Sequence, residues 1–206
     1  MPASPYIGRT FANRIVAGSD SMMWGFGSQE PGSVMDGCRV LGIGVEWGLK
    51  LSANTGLRIR GGVIFGGTER ALDMVRGGDV VVDATIFDAA GQRPVTTSRF
   101  SLRKTCDVGV KAGGQLTLNN CVLSDVLIGD YTIYDNPAIG PRARVVLNNC
   151  RHPVEGRPII VRCLWGDVVA NETNVSVLRL PDWAVKAYFA LNRRYGDTRV
   201  GVPLPA

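Results

Sequence analysis

Aspartates are the residues of this sequence whose type and spacing best suit catalysis. They form a cluster in the first half, a lone residue and a later pair, namely Asp79, Asp83 and Asp88, then Asp107, then Asp125 and Asp130. Two carboxyl groups a few ångströms apart can hydrolyse a glycosidic bond, with one of them acting as the acid. Because 18 acidic residues are spread along the chain, such clusters also arise by chance. Glycan hydrolase or lyase chemistry is therefore the minority interpretation, and no catalytic residue is assigned.

The sequence lacks the residue patterns of other catalytic chemistries. His152 is the only histidine, and no nucleophile-elbow motif accompanies it. The glycine-rich segment 60–67 matches neither a P-loop nor a dinucleotide fingerprint. The five cysteines are odd in number and lack the paired spacing of a disulfide framework or a zinc site, so we expect buried thiols. The sequence predicts no cofactor and no metal.

One pattern recurs four times: a short alternating strand, a pair of small or amide residues, and a second apolar run. The copies are 56–65, 79–88, 115–124 and 144–151. Their first apolar positions, Leu57, Val80, Leu116 and Val145, are 23, 36 and 29 residues apart. Uneven spacings in this range are typical of a solenoid whose loops differ in length.

Alternation within the copies predicts which side chains face inward, because successive side chains of a strand point to opposite faces. The inward positions are Leu57 and Ile59, Val80 and Val82, Leu116 and Leu118, and Val145 and Leu147. The outward positions between them are Arg58, Val81, Thr117 and Val146. Val81 and Val146 are apolar where a solvated wall would be polar. We therefore predict a covered outer face and place both valines among the partner-binding residues.

The paired residues after each strand predict corners. Gly61-Gly62, Asn119-Asn120 and Asn148-Asn149 consist of the residue types that enter left-handed backbone conformations at least cost. Stacked asparagines can also hydrogen-bond along the solenoid axis. Cys121 and Cys150 follow the same corner in their copies, so we expect them in one column.

Residues 1–37 form the first of three predicted zones and lack regular periodicity. We interpret this zone as an extended N-terminal arm or as a cap that closes the end of the coil. As an arm, it would dock onto a neighbouring chain through Met22, Met23, Trp24 and Phe26, since Met and aromatic residues are typical anchors.

Residues 38–180 hold the coils, and residues 181–206 hold a short helix and tail. Besides the four copies, strand-like runs occur at 40–45, 48–51, 100–102, 126–134, 158–163 and 175–180. Pro181 and Asp182 signal a helix start, 183–195 continues without a breaker, and Gly196 ends it. We expect this helix to cap the coil and hide its strand edges, or alternatively to bind a partner.

Charge and hydropathy limit the classes of partner. The net charge is +5, carried by 19 Arg against 4 Lys, which favours an acidic protein partner or a nucleic acid unless it reflects only genomic composition. No basic tract or nucleic-acid motif is present, so nucleic acid is not the expected partner. No apolar stretch is long enough to cross a membrane, and the N-terminus lacks a signal peptide. We therefore expect one domain, synthesis in cytoplasm and no membrane partner.

The patterns Leu-x-Leu-Asn-Asn-Cys at 116–121 and Val-x-Val-Asp-Ala-Thr at 80–85 resemble a known family. With the glycine-rich loops and irregular coil lengths, residues 40–180 look like the right-handed parallel β-helices of bacteriophage virion proteins, notably tailspikes and related trimeric proteins. The resemblance implies an all-β solenoid, a homotrimer about a three-fold axis, and a place on a virion released by lysis.

The resemblance leaves several functions open. A tailspike carries a particle-binding head and a long sugar-binding groove, whereas 206 residues give room for about five to seven coils. We therefore expect a non-enzymatic capsid cement or decoration protein whose trimers clamp the major capsid protein. The alternative is a short tailspike or fibre tip that binds, or depolymerises, a host surface glycan. A bacterial solenoid adaptor is the third interpretation.

Overall fold

The structure, a computed structural model, describes about three fifths of the chain. The described residues are 10–12, 15–17, 23–24, 33–42, 47–52, 55–66, 70–88, 106–111, 113–130 and 141–187. They are mostly β-strand, arranged in three parallel sheets, with one short helix near the C-terminal end. The predicted all-β class is thereby confirmed.

The described strands are, in chain order, β1 (Thr10–Ala12), β2 (Ile15–Ala17), β3 (Met23–Trp24), β4 (Val34–Asp36), β5 (Arg39–Gly42), β6 (Trp47–Ser52), β7 (Thr55–Arg60), β8 (Val63–Gly66), β9 (Arg70–Arg76), β10 (Asp79–Asp83), β11 (Ile86–Asp88), β12 (Cys106–Lys111), β13 (Gln115–Asn119), β14 (Asp125–Asp130), β15 (Ala143–Asn148), β16 (Ile159–Cys163), β17 (Gly166–Asn171) and β18 (Val175–Arg179).

Three sheets collect these strands in a repeating order. Sheet A is β1-β4-β7-β10-β13-β15-β17, sheet B is β2-β5-β8-β11, and sheet C is β3-β6-β9-β12-β14-β16-β18. The chain visits sheet A, then sheet B, then sheet C, and in later passes sheet B shrinks to single bridges joining Ile86, Val122 and Arg151. Every described strand pair is parallel, as a solenoid requires, since each pass lays its strand beside the one before.

The core lies between the sheets and contains the predicted columns. Strand pairing places Leu57, Val80, Leu116 and Val145 in one register row and Ile59, Val82, Leu118 and Leu147 in the next. Each of these side chains is at most 2% exposed. Sheets B and C add further buried side chains, among them Ile64, Phe87, Leu72, Val108 and Val161. The inward positions predicted from alternation are therefore confirmed.

The corners between sheets A and B share one backbone conformation. The first corner residue has a φ between 47° and 60° in six successive passes, at Gly37, Gly61, Ala84, Asn120, Asn149 and Glu172. Within each asparagine pair, the first residue ends its strand and only the second has a left-handed backbone. The first residues are Asn119 and Asn148, and the second are Asn120 and Asn149. Left-handed corners were predicted for Gly and Asn, but Ala84 and Glu172 adopt them too because the neighbouring passes impose the turn.

The described elements at both ends of the chain can be compared with the predicted N-terminal and C-terminal zones. Strands β1 to β4 fall within 1–37 and join the sheets, so the sheets begin before residue 38. Helix α1 begins at Asp182 and is described over 182–187, and the rest of the predicted helix lies outside the described residues. The Asp182 carboxylate contacts Arg142 at 2.7 Å. Val177 and Leu178 remain exposed, so the described part of α1 does not cover β18.

No helix in the described ranges combines the length and the apolar character needed to span a bilayer.

Candidate binding surfaces

The outer face of sheet A presents the outward positions predicted from the repeats. Strand register aligns them in one row, Val34, Arg58, Val81, Thr117, Val146 and Val169. Val81 and Val146 lie two passes apart with Thr117 between them, and all three are half-buried. This row of small β-branched side chains gives the outer face of sheet A an uncharged centre.

A ladder of amide hydrogen bonds borders that row. Asn119 Nδ2 donates to Asp83 Oδ1 at 2.7 Å, and Asn148 Nδ2 donates to Asn119 Oδ1 at 2.7 Å. Asn171 Nδ2 continues to Asn148 Oδ1 at 2.8 Å, while a second ladder joins Asn149 to Asn120 at 2.7 Å. Axial bonding between the stacked asparagines was predicted and is confirmed. The ladders cross-link successive passes, which stiffens this edge of sheet A.

Inside the same corner, a column of thiol and hydroxyl side chains hydrogen-bonds to the backbone of the turn. Each member donates to the carbonyl two residues earlier, as in Cys121 to Asn119 at 3.3 Å and Cys150 to Asn148 at 3.4 Å. Thr85, Thr173 and Cys38 make the equivalent contacts at 3.1, 2.8 and 3.6 Å. The shared column of Cys121 and Cys150 is therefore confirmed. A search for Cys or Thr two residues after the strand end would have revealed the passes at Cys38 and Thr173.

All five cysteines are buried free thiols, as predicted. Burial raises the pKa of Cys106 to about 12 and also raises that of Cys163. A hydrogen bond between the Cys121 and Cys150 thiols raises the pKa of Cys121 and lowers that of Cys150. Burial, and a contact from each of the five thiols to a backbone carbonyl oxygen, fit structural thiols rather than exposed nucleophiles.

Sheet C carries a charged network on its outer face. Arg70 donates to Asp73, and Lys111 Nζ lies 3.7 Å from the other Asp73 oxygen. All three residues are at most 7% exposed. Gly109 makes room for this group, because a Cβ there would lie 2.6 Å from the Arg70 side chain.

A second polar group on sheet C includes two of the aspartates considered for catalysis. Asp107 accepts hydrogen bonds from the backbone and hydroxyl of Ser124, and Asp125 pairs with Arg162 at 2.9 Å. The Asp107 backbone N–H donates to Asp125 Oδ1 at 2.9 Å, so sheet C brings these two residues together. Their hydrogen-bonded setting suits a structural role.

The outer face of sheet C is also covered by apolar side chains. Cys106, Leu127 and Leu164 form a small buried cluster, and Leu180 packs against it. Leu127 lies in the outward row of the sheet between Gly109 and Arg162, yet it is 1% exposed. The face that the chain itself covers is therefore that of sheet C, whereas Val81 and Val146 of sheet A keep part of their surface open.

A groove of about 790 Å³ lies beside the last bridges of sheet B. Ile86 and Val154 supply exposed apolar surface there, while Glu155, Glu172 and His152 supply polar groups. The Val154 N–H donates to His152 Nδ1 at 2.9 Å, which fixes the ring beside the groove. None of the aspartates weighed above lines this groove.

The predicted anchors of the N-terminal zone are only partly described. Met23 and Trp24 form β3, which pairs with Leu51 and Ser52 of β6. Met22 and Phe26 lie outside the described residues, so docking through this group stays a prediction.

Within the described ranges no three His, Cys, Asp or Glu side chains group closely enough to hold a metal ion. Comparison with protein-family models, with curated proteins and with solved structures gives no match.

Proposed function

We propose that this protein is a non-enzymatic structural protein, a right-handed parallel β-helix that docks a partner protein on the outer face of sheet A. The observation that carries the proposal is the half-buried row of Val81, Thr117 and Val146 bordered by the asparagine ladder. A rigid face loses little conformational entropy on binding, so modest apolar contacts are enough for association.

In its finer form, the proposal places this protein on a bacteriophage virion as a homotrimeric capsid cement. The resemblance of the repeats supports this setting, and the arginine excess would complement an acidic capsid surface. Residues 1–37 would supply the arm, with Met22, Met23, Trp24 and Phe26 as anchors on the neighbouring chain or the major capsid protein.

The test is binding of the purified full chain to phage capsids stripped of accessory proteins, together with its mass by light scattering. We expect a trimer that saturates the capsid lattice stoichiometrically. Val81→Glu and Val146→Glu each place a charge in the docking row and should reduce capsid binding about tenfold or more. Val154→Glu, at an exposed valine of the groove, is the matched control and should bind like the parent.

A trimer that binds capsids equally well with and without the sheet A charges would overturn the docking face. A chain that ignores capsids altogether would overturn the cement setting.

The groove favours a second candidate, binding of a host surface glycan. Its apolar residues suit the faces of sugar rings, and Glu155, Glu172 and His152 offer hydrogen bonds to hydroxyl groups. Binding of bacterial surface polysaccharide that Val154→Glu abolishes and Val146→Glu leaves intact would move this candidate to first place.

A further inference from the structure

The wall of the groove carries the only histidine of the chain. His152 directly follows Arg151, the last bridged residue of sheet B, and precedes a turn that closes at Arg157. Residues 154–157 of this turn are all exposed, and all of them line the groove. The shape of the wall therefore depends on how the turn is attached to the sheet.

A side-chain hydrogen bond joins His152 to the turn. The Val154 N–H donates to His152 Nδ1 at 2.9 Å. The contact has the pattern of an Asx-turn, in which a side chain accepts a hydrogen bond from the N–H two residues later. Because the donor is a backbone N–H, Nδ1 must offer a lone pair. The geometry is therefore that of a neutral ring with its proton on Nε2.

The carbonyl of the same valine closes the turn. The Arg157 N–H donates to Val154 O at 3.3 Å, and Gly156 has a φ of 75°, a left-handed value of the kind that type II turns require at their third residue. His152 Nδ1 also lies 3.2 Å from Val154 O. One ring nitrogen is thus within hydrogen-bonding distance of both a donor and an acceptor of Val154.

We propose that His152 is a pH-sensitive switch of the groove wall. When Nδ1 takes a proton from water, it no longer accepts a hydrogen bond from the Val154 N–H, and its new N–H lies 3.2 Å from the Val154 carbonyl. The valine N–H is then released to solvent, and the carbonyl that closes the turn is shared between the ring and Arg157. The two protonation states therefore hold the turn by different hydrogen bonds.

Protonation also changes the charge of the groove. Four charged side chains line it with His152, three from the same segment and one from the corner after β17, namely Arg151, Glu155, Arg157 and Glu172. Cys150 lines the groove too, but its thiol bonds to Leu118 O in the core. The protonated ring adds one positive charge to a lining with two basic and two acidic groups. The switch is a property of the groove itself, so it holds whether or not the groove binds a glycan.

The test is NMR spectroscopy of the full chain between about pH 8 and about pH 5, the range in which histidine changes charge. Because the chain has one histidine, its ring signals are unambiguous. We expect the Val154 amide to exchange with water about three- to tenfold faster as the ring is protonated, after correction for the intrinsic rate. Methyl signals of Ile86 and Val122, which line the groove, should shift with the same midpoint, and those of Leu118 in the core should not.

Two variants separate a switch from a passive turn. His152→Asn places Oδ1 on the same carbon that carries Nδ1, so the turn keeps an acceptor that takes no proton in this range. Its Val154 amide should keep the slow exchange of the parent at about pH 8 down to about pH 5. His152→Ala removes the acceptor and should show fast exchange throughout.

Three results would each overturn the proposal. The first is a ring that does not titrate in this range, and the second is a Val154 amide that does not follow the titration of the ring. The third is a His152→Asn chain whose Val154 amide and Ile86 methyl groups respond to pH as in the parent, because the response would then come from the carboxylates of the groove.

Discussion

Sheets A and C contain the same number of described strands, but the outer face of sheet A is accessible, whereas that of sheet C is largely buried. Along β10 and β13 of sheet A, buried and accessible residues alternate, and the accessible positions carry aspartate, glutamine, valine, threonine and asparagine. All six residues of β12 in sheet C are buried, and the neighbouring β9 contributes an arginine and an aspartate to the covered side.

This difference determines how each outer face accommodates its polar and charged side chains. Sheet A is accessible, so its outward amides bond to one another along the axis and remain close to water. Sheet C is covered at Cys106 and Leu127 by Leu164 and Leu180, and its Arg70 and Asp73 are buried, so these charges must be paired within the chain. A buried pair stabilises little in itself, but removing one partner is expensive.

The largest effect is expected from removing the Asp73 carboxylate of sheet C. Asp73→Ala leaves Arg70 and Lys111 buried without that carboxylate, and we expect a loss of about 3–5 kcal/mol in the free energy of unfolding. Asp83→Ala in the sheet A ladder removes one hydrogen bond at a half-buried site and should cost about 1 kcal/mol. Denaturant unfolding measures both, and equal losses would show that the two faces do not differ.

Truncating one outward apolar residue in each sheet tests how completely the two outer faces are covered. Leu127→Ala empties a fully covered position and should destabilise by about 2–5 kcal/mol. Val146→Ala removes half-exposed surface and should cost under about 1 kcal/mol in the isolated chain. A small effect at Leu127, measured in the same unfolding assay, would argue that the outer face of sheet C is solvated.

A glycine in sheet C tests how tightly the charged network fits. Gly109→Ala would push a methyl group into the Arg70 side chain and disturb its pairing with Asp73, so we expect a loss of about 1–3 kcal/mol. Gly61→Ala is the control at a corner with open space around the added methyl, where only the left-handed backbone opposes the change. If Asp73→Ala is already present, Gly109→Ala should cost clearly less, because Arg70 is then free to move.

The smallest effect is expected at the sheet A corner. Ala84 has a φ of 50°, which a residue with a Cβ adopts at a cost of about 1–2 kcal/mol, so Ala84→Gly should raise the free energy of unfolding by about 0.5–1 kcal/mol. The thermal midpoint should rise accordingly. Asn120→Gly, at a residue type that tolerates this conformation, should gain less, and a loss at Ala84→Gly would contradict the strain argument.

Much of sheet A was predictable from the sequence, while several strands of sheet C were not. The inward rows from Leu57 to Val145 and the asparagine corners follow from alternation and residue type, and the structure bears them out. Strands β9 and β12 were not predicted, because alternation is visible only where one face of a strand meets water. The pass at β17 was missed because its corner residue is Glu172, a residue type that gives no turn signal.

The sequence by itself determined the repeat, the inward columns and the corners, since each depends on residues within one copy or on the same position of the next. Only the tertiary structure decided which outer face is covered and which of the described inward residues stay exposed. Asp73 is buried beside Lys111, which returns to its sheet from farther along the chain. Val177 is exposed because no later pass follows it within the described residues. Burial is set by what the whole chain places beside a residue, and no local pattern records that.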